Sequence, residues 1–342
     1  MKRINKQKGF SLMEIIIALS LLLVLISATQ PIIGRLIDFR ANILTDTNLN
    51  VLGEAVEEWY SENAWDFGQI TNSSIPLPGG GNMTNNSGTR TDGWERLAQR
   101  YAGSINFTQD GYNHGYRVFV SNPLTQEYRG VRVPYHVIAL VSSGGEGENI
   151  GDEMVSVVNS NFNQGTGAIT VNNNESVYII NGFSIQKEIV DTSIERLNRV
   201  ARSYENFYRL QFLSQEREPA INYFARNGTN PRWDISSPVV AMCGGSGDTI
   251  LGNNQLGHDI NTYGLLNAIG ISSEAAQSVW GENFRLLNCG STSSVRVRGA
   301  NRTFSARTPS SPAGNNIPPY SAILGFHLPN AETYTTTVTS SF

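Results

Sequence analysis

The chain has 342 residues, 25 basic and 29 acidic side chains and a formal net charge of −4. At roughly 150 residues per domain, this length suggests about two domains. An apolar fraction of 39%, a charged fraction of 16%, 33 Gly, 13 Pro and long Asn/Ser/Thr stretches fit loop-rich β structure outside the cytoplasm better than a helical enzyme, and exclude a disordered chain. The mildly acidic balance argues against non-specific nucleic-acid binding, so nucleic acid is not expected among its partners.

The basic side chains are bunched at the start. Lys2, Arg3, Lys6 and Lys8 precede every other charge, and Lys187 is the only later lysine. Loss of those four would move the formal charge from −4 to −8. Residues 15–34 then carry no formal charge. As a helix rising about 1.5 Å per residue they span about 30 Å, the thickness of a bilayer's hydrocarbon. The basic cluster should stay in the cytoplasm and send everything after Arg35 to the other face. At the mouth of this run stands one carboxylate, Glu14. An acidic group at the centre of a membrane helix costs on the order of 2.5–3.5 kcal/mol, and less near an end, so Glu14 needs a partner.

A secretory signal cleaved after "ISATQ" is one alternative, but its apolar run would be unusually long and acidic at its start. The combination of basic leader, Gly9-Phe10, Glu14, long apolar run and Pro31 resembles the N-terminus of type IV prepilins and pseudopilins. An ordinary signal anchor is the remaining alternative. The resemblance implies cleavage between Gly9 and Phe10 by a prepilin peptidase, which removes "MKRINKQKG", and N-methylation of Phe10. The new amine, with a reference pKa of roughly 7.7–8.0, is substantially cationic, and the resemblance pairs it with Glu14 of a neighbouring subunit. A subunit displaced by one turn would then leave a charge unpaired among apolar side chains. Pro31 stands where many family members carry a proline and, lacking an amide hydrogen, is expected to kink or locally melt the helix. The implied partners are other pilin subunits, the peptidase and an inner-membrane assembly platform. The implied location is the cytoplasmic (inner) membrane as a single-pass protein, and afterwards a pilus, the cell surface or a periplasmic filament.

The helix should continue to about residue 62, because "TDTNLNVLGEAVEEWYSEN" carries Leu49, Leu52, Val56 and Trp59 or Tyr60 at spacings of three and four, a stripe suited to packing on a sheet. Strand-like runs follow in "YRVFVS" and "PYHVIALVSS". A second helix then resembles the first: "LNVLGEAVEEWY" at 49–60 and "LNRVARSYENFY" at 197–208 align at a constant offset of 148, and "FRLLN" and "PYSAILGFHL" follow the second helix. "DGYNHGYRVFV" and "SVWGENFRLL" are loose versions of the "DPWGxxY" element that often precedes the sheet in pseudopilins.

The fold class expected is α+β: a long N-terminal transmembrane helix packed on an antiparallel sheet, followed by a second helix-plus-sheet domain. The divisions are a leader at 1–9, the helix at 10–62, a first globular domain at 63–181, and a second, duplicated or recognition, domain at 182–342. Asn181-Gly182 marks the boundary.

Little in the sequence points to catalysis. His114, His136, His258 and His327 are scattered and none sits in a metal-binding array. "CGGSGDT" at 243–249 has Asp248 where a GxSxG elbow needs glycine. "SSGGEGENIGDE" offers Glu146, Glu148, Asp152 and Glu153 as a weak calcium candidate. It resembles the loop after the sheet that binds calcium in some major pseudopilins, with an acidic solvated loop as the alternative. Arg296, Arg298, Arg302 and Arg307 form a basic strip in which strand alternation sets Arg296 and Arg298 on one face. Cys243 and Cys289 are too far apart in sequence for a zinc knuckle. A disulfide between them is favoured outside the cytoplasm, and two buried thiols are the alternative.

The reading is a non-enzymatic minor pilin or pseudopilin of a type IV pilus or a related secretion or DNA-uptake filament. The competing reading is a pilus-tip adhesin whose C-terminal domain binds a surface receptor.

Overall fold

The computed structural model describes residues 12–145, 147–150, 153–172, 175–214, 258–259, 266, 269–287, 292–297, 300–305, 321–330 and 332–339. Helix α1, Leu12–Glu62, is 51 residues long. Its side chains from Leu12 to Arg40 are exposed or nearly so, apart from Glu14, whose side chain lies outside the described residues. Helix α1 runs through Pro31 without interruption, so the expected local melting does not occur. An interior proline removes one backbone hydrogen bond, and here the turns on either side stay helical. The polar side chains of this half bond back to their own helix. Ser20 Oγ donates to the carbonyls of Ile16 and Ile17 at 2.9 Å, and Thr29 Oγ1 to Leu25 and Ile26 at 3.0 and 3.1 Å. Backbone groups thus satisfy hydroxyls that have no other partner in an apolar medium.

From Ala41 onward one face of α1 is buried, through Thr45, Leu49, Leu52, Val56 and Tyr60. It packs on an antiparallel sheet built from β1 (Ser87–Gly88), β2 (Arg117–Val120), β5 (Val137–Ser142) and β8 (Ser176–Asn181), in the order β1-β2-β5-β8. Two hairpins leave this sheet. β3 (Leu124–Tyr128) and β4 (Val131–Tyr135) are inserted between β2 and β5, and β6 (Gly147–Ile150) and β7 (Glu153–Ser156) between β5 and β8. Every residue of β5 is buried. Ile138 and Leu140 join the α1 core, whereas Ala139 and Val141 meet Phe119, Phe162 and Ile169 on the other face. A strand covered on both faces reads as a continuous apolar run, which explains "VIALV".

Helix α2, Gly182–Ser214, begins directly after β8. Its buried line is Ile189, Ser193, Leu197, Val200, Tyr204 and Tyr208, the six α1 positions moved by the same 148 residues. It lies on a second antiparallel sheet, β9 (His258–Asp259), β10 (Arg285–Leu287), β13 (Ser321–His327) and β14 (Thr333–Thr339), in the order β9-β10-β13-β14. A hairpin, β11 (Thr292–Val297) and β12 (Ala300–Ser305), again stands between the second and third strands of the sheet.

Two details differ from the sequence reading. Pro134 and Tyr135 belong to β4, so the strand expected as "PYHVIAL" starts at Val137. The basic strip is not one strand: β11 ends at Val297, and the ladder pairs Arg296 with Asn301 and Val295 with Arg302. Arg298 and Arg307 lie outside the described residues. The ladder instead pairs Val297 with Ala300, and in the β3–β4 hairpin, where Tyr128 pairs with Val131, the two residues between are Arg129-Gly130, with φ of +53° and +78°. Such turns are ordinarily signalled by Asn-Gly or Asp-Gly.

The second unit does not close its core alone. Ala64 and Trp65, just past α1, and Val131 and Val133 of β4 are buried together with Val190, Leu197, Trp280 and Phe326. The junction is tied by hydrogen bonds. Tyr60 Oη accepts from His136 N at 3.1 Å, Gly182 N donates to His136 O at 3.0 Å, and Gln186 Nε2 donates to Ala64 O at 2.6 Å. A Cβ on Gly182 would meet both the Tyr60 hydroxyl and the His136 carbonyl, so only glycine permits α2 to start here. Arg132 N donates to Glu332 at 2.6 Å, and Asn330 Nδ2 to Arg132 O at 2.6 Å.

His136 is buried in this junction, with Nδ1 3.1 Å from the Ser121 carbonyl, and burial lowers its pKa. The unfolded chain, near 6.5, therefore takes up this proton first as pH falls. The imidazole's contribution to stability is complete above about pH 6.5 and declines below it, toward the lowered folded value. A scan of thermal midpoint between about pH 7.5 and about pH 5.5 should fall on acidification, and His136→Asn should flatten that fall.

Candidate functional site

The N-terminal segment carries the motif. Glu14 lies in the first turn of α1, while Gly9 and Phe10 lie outside the described residues. The 18-residue apolar window of α1 is entirely unburied, and this is the one helix among the described residues long and apolar enough to cross a membrane. Leu21, Leu22, Leu23, Val24 and Leu25 are each more than half exposed, all round the helix, as expected of a segment whose solvent is lipid or other helices.

Residues 4–29 match the family model described as the prokaryotic N-terminal methylation motif. The chain thus carries the N-terminal signal of type IV pilin-like proteins. No curated protein and no solved structure matches it. Residues 12–29 of that match lie on one continuous helix whose distal half packs on a sheet, an α+β arrangement consistent with a pilin fold.

What joins that helix to the globular part is the loop that the sequence marked as "DGYNHGY". Asp110 is 2% exposed. Its Oδ1 accepts from the amides of Tyr112 and His114, both at 2.9 Å, and its Oδ2 from the hydroxyls of Ser142 at 2.8 Å and Ser156 at 3.0 Å. Four donors satisfy a buried carboxylate that would otherwise carry a large desolvation cost. The loop so held presses onto α1. Gly111 N donates to Thr45 Oγ1 at 3.0 Å, Asn48 Nδ2 donates to Gln109 O at 3.0 Å, and Tyr112 Oη reaches Asn42 Oδ1 at 3.2 Å. A Cβ on Gly111 would collide with the Ala41 backbone. Buried Tyr116 Oη donates to Gln109 O at 3.1 Å, and burial raises its pKa well above the usual phenol value, so it stays a neutral donor.

The second unit repeats this joint with other residues. Val279 N donates to Ser193 Oγ at 3.0 Å, and Arg196 Nη1 to Gln277 O at 3.4 Å. Asp110 N→His114 O and Ser278 N→Glu282 O are both 2.8 Å. Gln109 bridges Gly115, and Gln277 bridges Asn283. Serine replaces Asp110 as acceptor, with Ser278 Oγ taking the Glu282 amide at 3.2 Å.

The remaining sequence candidates are not gathered into one site. Glu148 is paired with Arg117, a buried guanidinium that also donates to Asn86 Oδ1 at 2.9 Å. Glu146 and Asp152 lie outside the described residues, and Glu153 opens β7 with its side chain also outside them. Among the described residues no three His, Cys, Asp or Glu converge as metal ligands. His327, in β13, has Nδ1 3.0 Å from Thr333 Oγ1, and His258 belongs to β9. Cys243 and Cys289 lie outside the described residues. Sequence reasoning missed Asp110 and the hydroxyls of Thr45 and Ser193. The available signal was the acidic first residue of the pre-sheet element and a small hydroxyl one turn before each repeated leucine.

Asp110→Ala would leave two amides and two hydroxyls without their acceptor in a dry site. At 1–3 kcal/mol for a buried group left unpaired, a loss of at least about 2 kcal/mol is expected. Chemical denaturation of the detergent-solubilised chain measures it, and Asp92→Ala, on an exposed helix start, should be near neutral.

Proposed function

We propose that the chain is a minor pilin or pseudopilin, a structural subunit that enters or primes a type IV pilus or a related type II secretion or DNA-uptake filament. The supporting observation is the methylation motif at residues 4–29 on a helix that continues without a break into a sheet domain. In this reading the peptidase cuts after Gly9 and methylates Phe10. The Phe10 amine of one subunit then meets Glu14 of the next, and that pair sets axial register because a one-turn slip strands a charge in an apolar bundle. The chain waits in the cytoplasmic membrane with residues after Arg35 outside the cytoplasm, and the assembly platform extracts it. The unit from Gly182 onward is a second pilin-like domain that arose by duplication and lacks a membrane segment of its own.

That second unit also supports a competing reading, a tip adhesin whose distal unit binds a surface receptor. Truncation after Asn181 separates the two: pili that form but no longer adhere favour the adhesin, and loss of pili favours assembly. The truncation removes the partners of Trp65, Val131 and Val133, so Trp65→Ser and Val133→Ser belong in the truncated chain.

Glu14→Ala tests the main reading. The variant should yield the same mature N-terminus by mass spectrometry, N-methylated Phe10, yet be absent from sheared filaments. Normal incorporation would overturn the role given to Glu14.

A further inference from the structure

The first unit has a cleft that the subunit role does not use. It lies where α1 ends, beside the short helix Ala64–Phe67, and has a volume of about 550 Å³, within the roughly 300–1,000 Å³ of small-molecule sites. Trp59, Phe67, Ile75 and Leu77, all buried in the first core, form its floor. Asn63, Asp66, Arg100 and Tyr101 stand around its mouth. Trp59 is roughly 37 Å along the helix beyond the uncharged run, which ends at residue 34, so the cleft is clear of any bilayer that holds that run.

The mouth is ordered by contacts within the chain. Glu62 accepts from Tyr101 Oη at 2.7 Å and from Arg100 Nη2 at 3.4 Å, and the Arg100 guanidinium stands 5.0 Å over the Tyr101 ring, within cation–π range. Asn63 Nδ2 donates to Trp59 O at 2.9 Å, which fixes the plane of its amide. A ligand meets side chains that are already positioned, which lowers the ordering cost of binding.

The lining selects a ligand class. Its charged groups are one carboxylate, Asp66, and one guanidinium, Arg100, the latter paired with Glu62, so no excess of one sign favours a phosphate or a divalent cation. A peptide strand is disfavoured for another reason. One wall is Pro76-Leu77-Pro78, in which the prolines have no amide hydrogen. The Leu77 amide is taken by Gly81 O at 3.0 Å, across a turn whose three glycines have φ of +86°, +119° and +76°. That wall offers an incoming main chain no donor, and strand addition rests on main-chain hydrogen bonds. Recognition therefore falls to side chains: an amide, a carboxylate and a guanidinium, each planar with polar atoms side by side, over an apolar and aromatic floor. A sugar ring carries the matching surfaces. Its C–H face suits the floor, and its adjacent hydroxyls, each both donor and acceptor, suit the rim.

We propose that this cleft binds a neutral saccharide. The site lies in the first unit, whereas the tip-adhesin reading puts recognition in the unit from Gly182 onward, and it goes beyond both readings of the function without requiring a filament.

The full-length chain, solubilised in a detergent without a sugar headgroup, is screened by saturation-transfer NMR against neutral disaccharides built from glucose, galactose, mannose and N-acetylglucosamine. At least one should give saturable transfer. Arg100→Ala and Asp66→Ala, each on an exposed side chain, should weaken that ligand at least tenfold at an unchanged thermal midpoint. Absence of transfer from every disaccharide overturns the proposal, as does binding that both variants leave intact. Binding of inorganic phosphate or hexaproline that both variants abolish, with no disaccharide bound, overturns the assigned class.

Discussion

The hydroxyl of Thr45 is where the two halves of the molecule meet. Residues up to Arg40 belong to a stretch of helix whose side chains are exposed or nearly so, and residues from Ala41 onward to one that is a wall of a core. A single continuous helix has to satisfy both solvents, and the loop around Gly111, on Thr45 Oγ1 and with Tyr112 Oη reaching Asn42 and the Asp38 carbonyl, holds it where the globular part begins. Because Gly111 sits against the Ala41 backbone, the loop cannot slide along α1 without a steric clash. The four hydrogen bonds on Asp110 fix the loop's shape. The distal half of α1 is therefore joined to the sheet domain through a loop whose shape is fixed on both sides.

That joint also explains why the same plan could be built twice with so little shared sequence. What must be retained is a hydroxyl on the helix, a glutamine bridge, and an acceptor at the head of the pre-sheet turn. Thr45 and Ser193, Gln109 and Gln277, and Asp110 and Ser278 meet those needs. The rest is satisfied by any apolar residue of adequate volume, which is why Leu52 and Val200 or Val56 and Tyr204 exchange freely.

The legible parts of the fold were those with strict periodicity. The α1 stripe, its echo in α2 and the run "VIALV" follow from spacing and burial, and the motif around Gly9, Phe10 and Glu14 needed no structure to be read. The hairpins were not legible, because an Arg-Gly pair seldom marks a two-residue turn, and "VRVRGANRTF" therefore looked like one basic strand. The shared core was hidden for a different reason. Trp65, Val131 and Val133 look like ordinary residues of the first unit, and nothing local says that their partners are Trp280 and Phe326. Contacts between units depend on docking geometry, which leaves no periodic trace in either segment.

The differences between the two core helices are as informative as their likeness. At the three positions outside the shared face, α2 carries Phe183, Lys187 and Asp191, a set with an aromatic, a cation and an anion that meets Tyr128 and Arg129 in complementary fashion. At the same positions α1 carries Arg35, Phe39 and Ile43, more apolar, and next to a membrane segment. A helix position that faces only water tolerates apolar side chains singly. Phe39 and Ile43 are instead one turn apart, joined to Leu36, Ile37 and Leu44 in an exposed belt just past the uncharged run. Such a belt is stable in solution only if something covers it. The globular part begins on the opposite side, at Ala41 and Thr45. The exposed belt lies between the uncharged run and the face that enters the core, so one helix carries three different surfaces along its length.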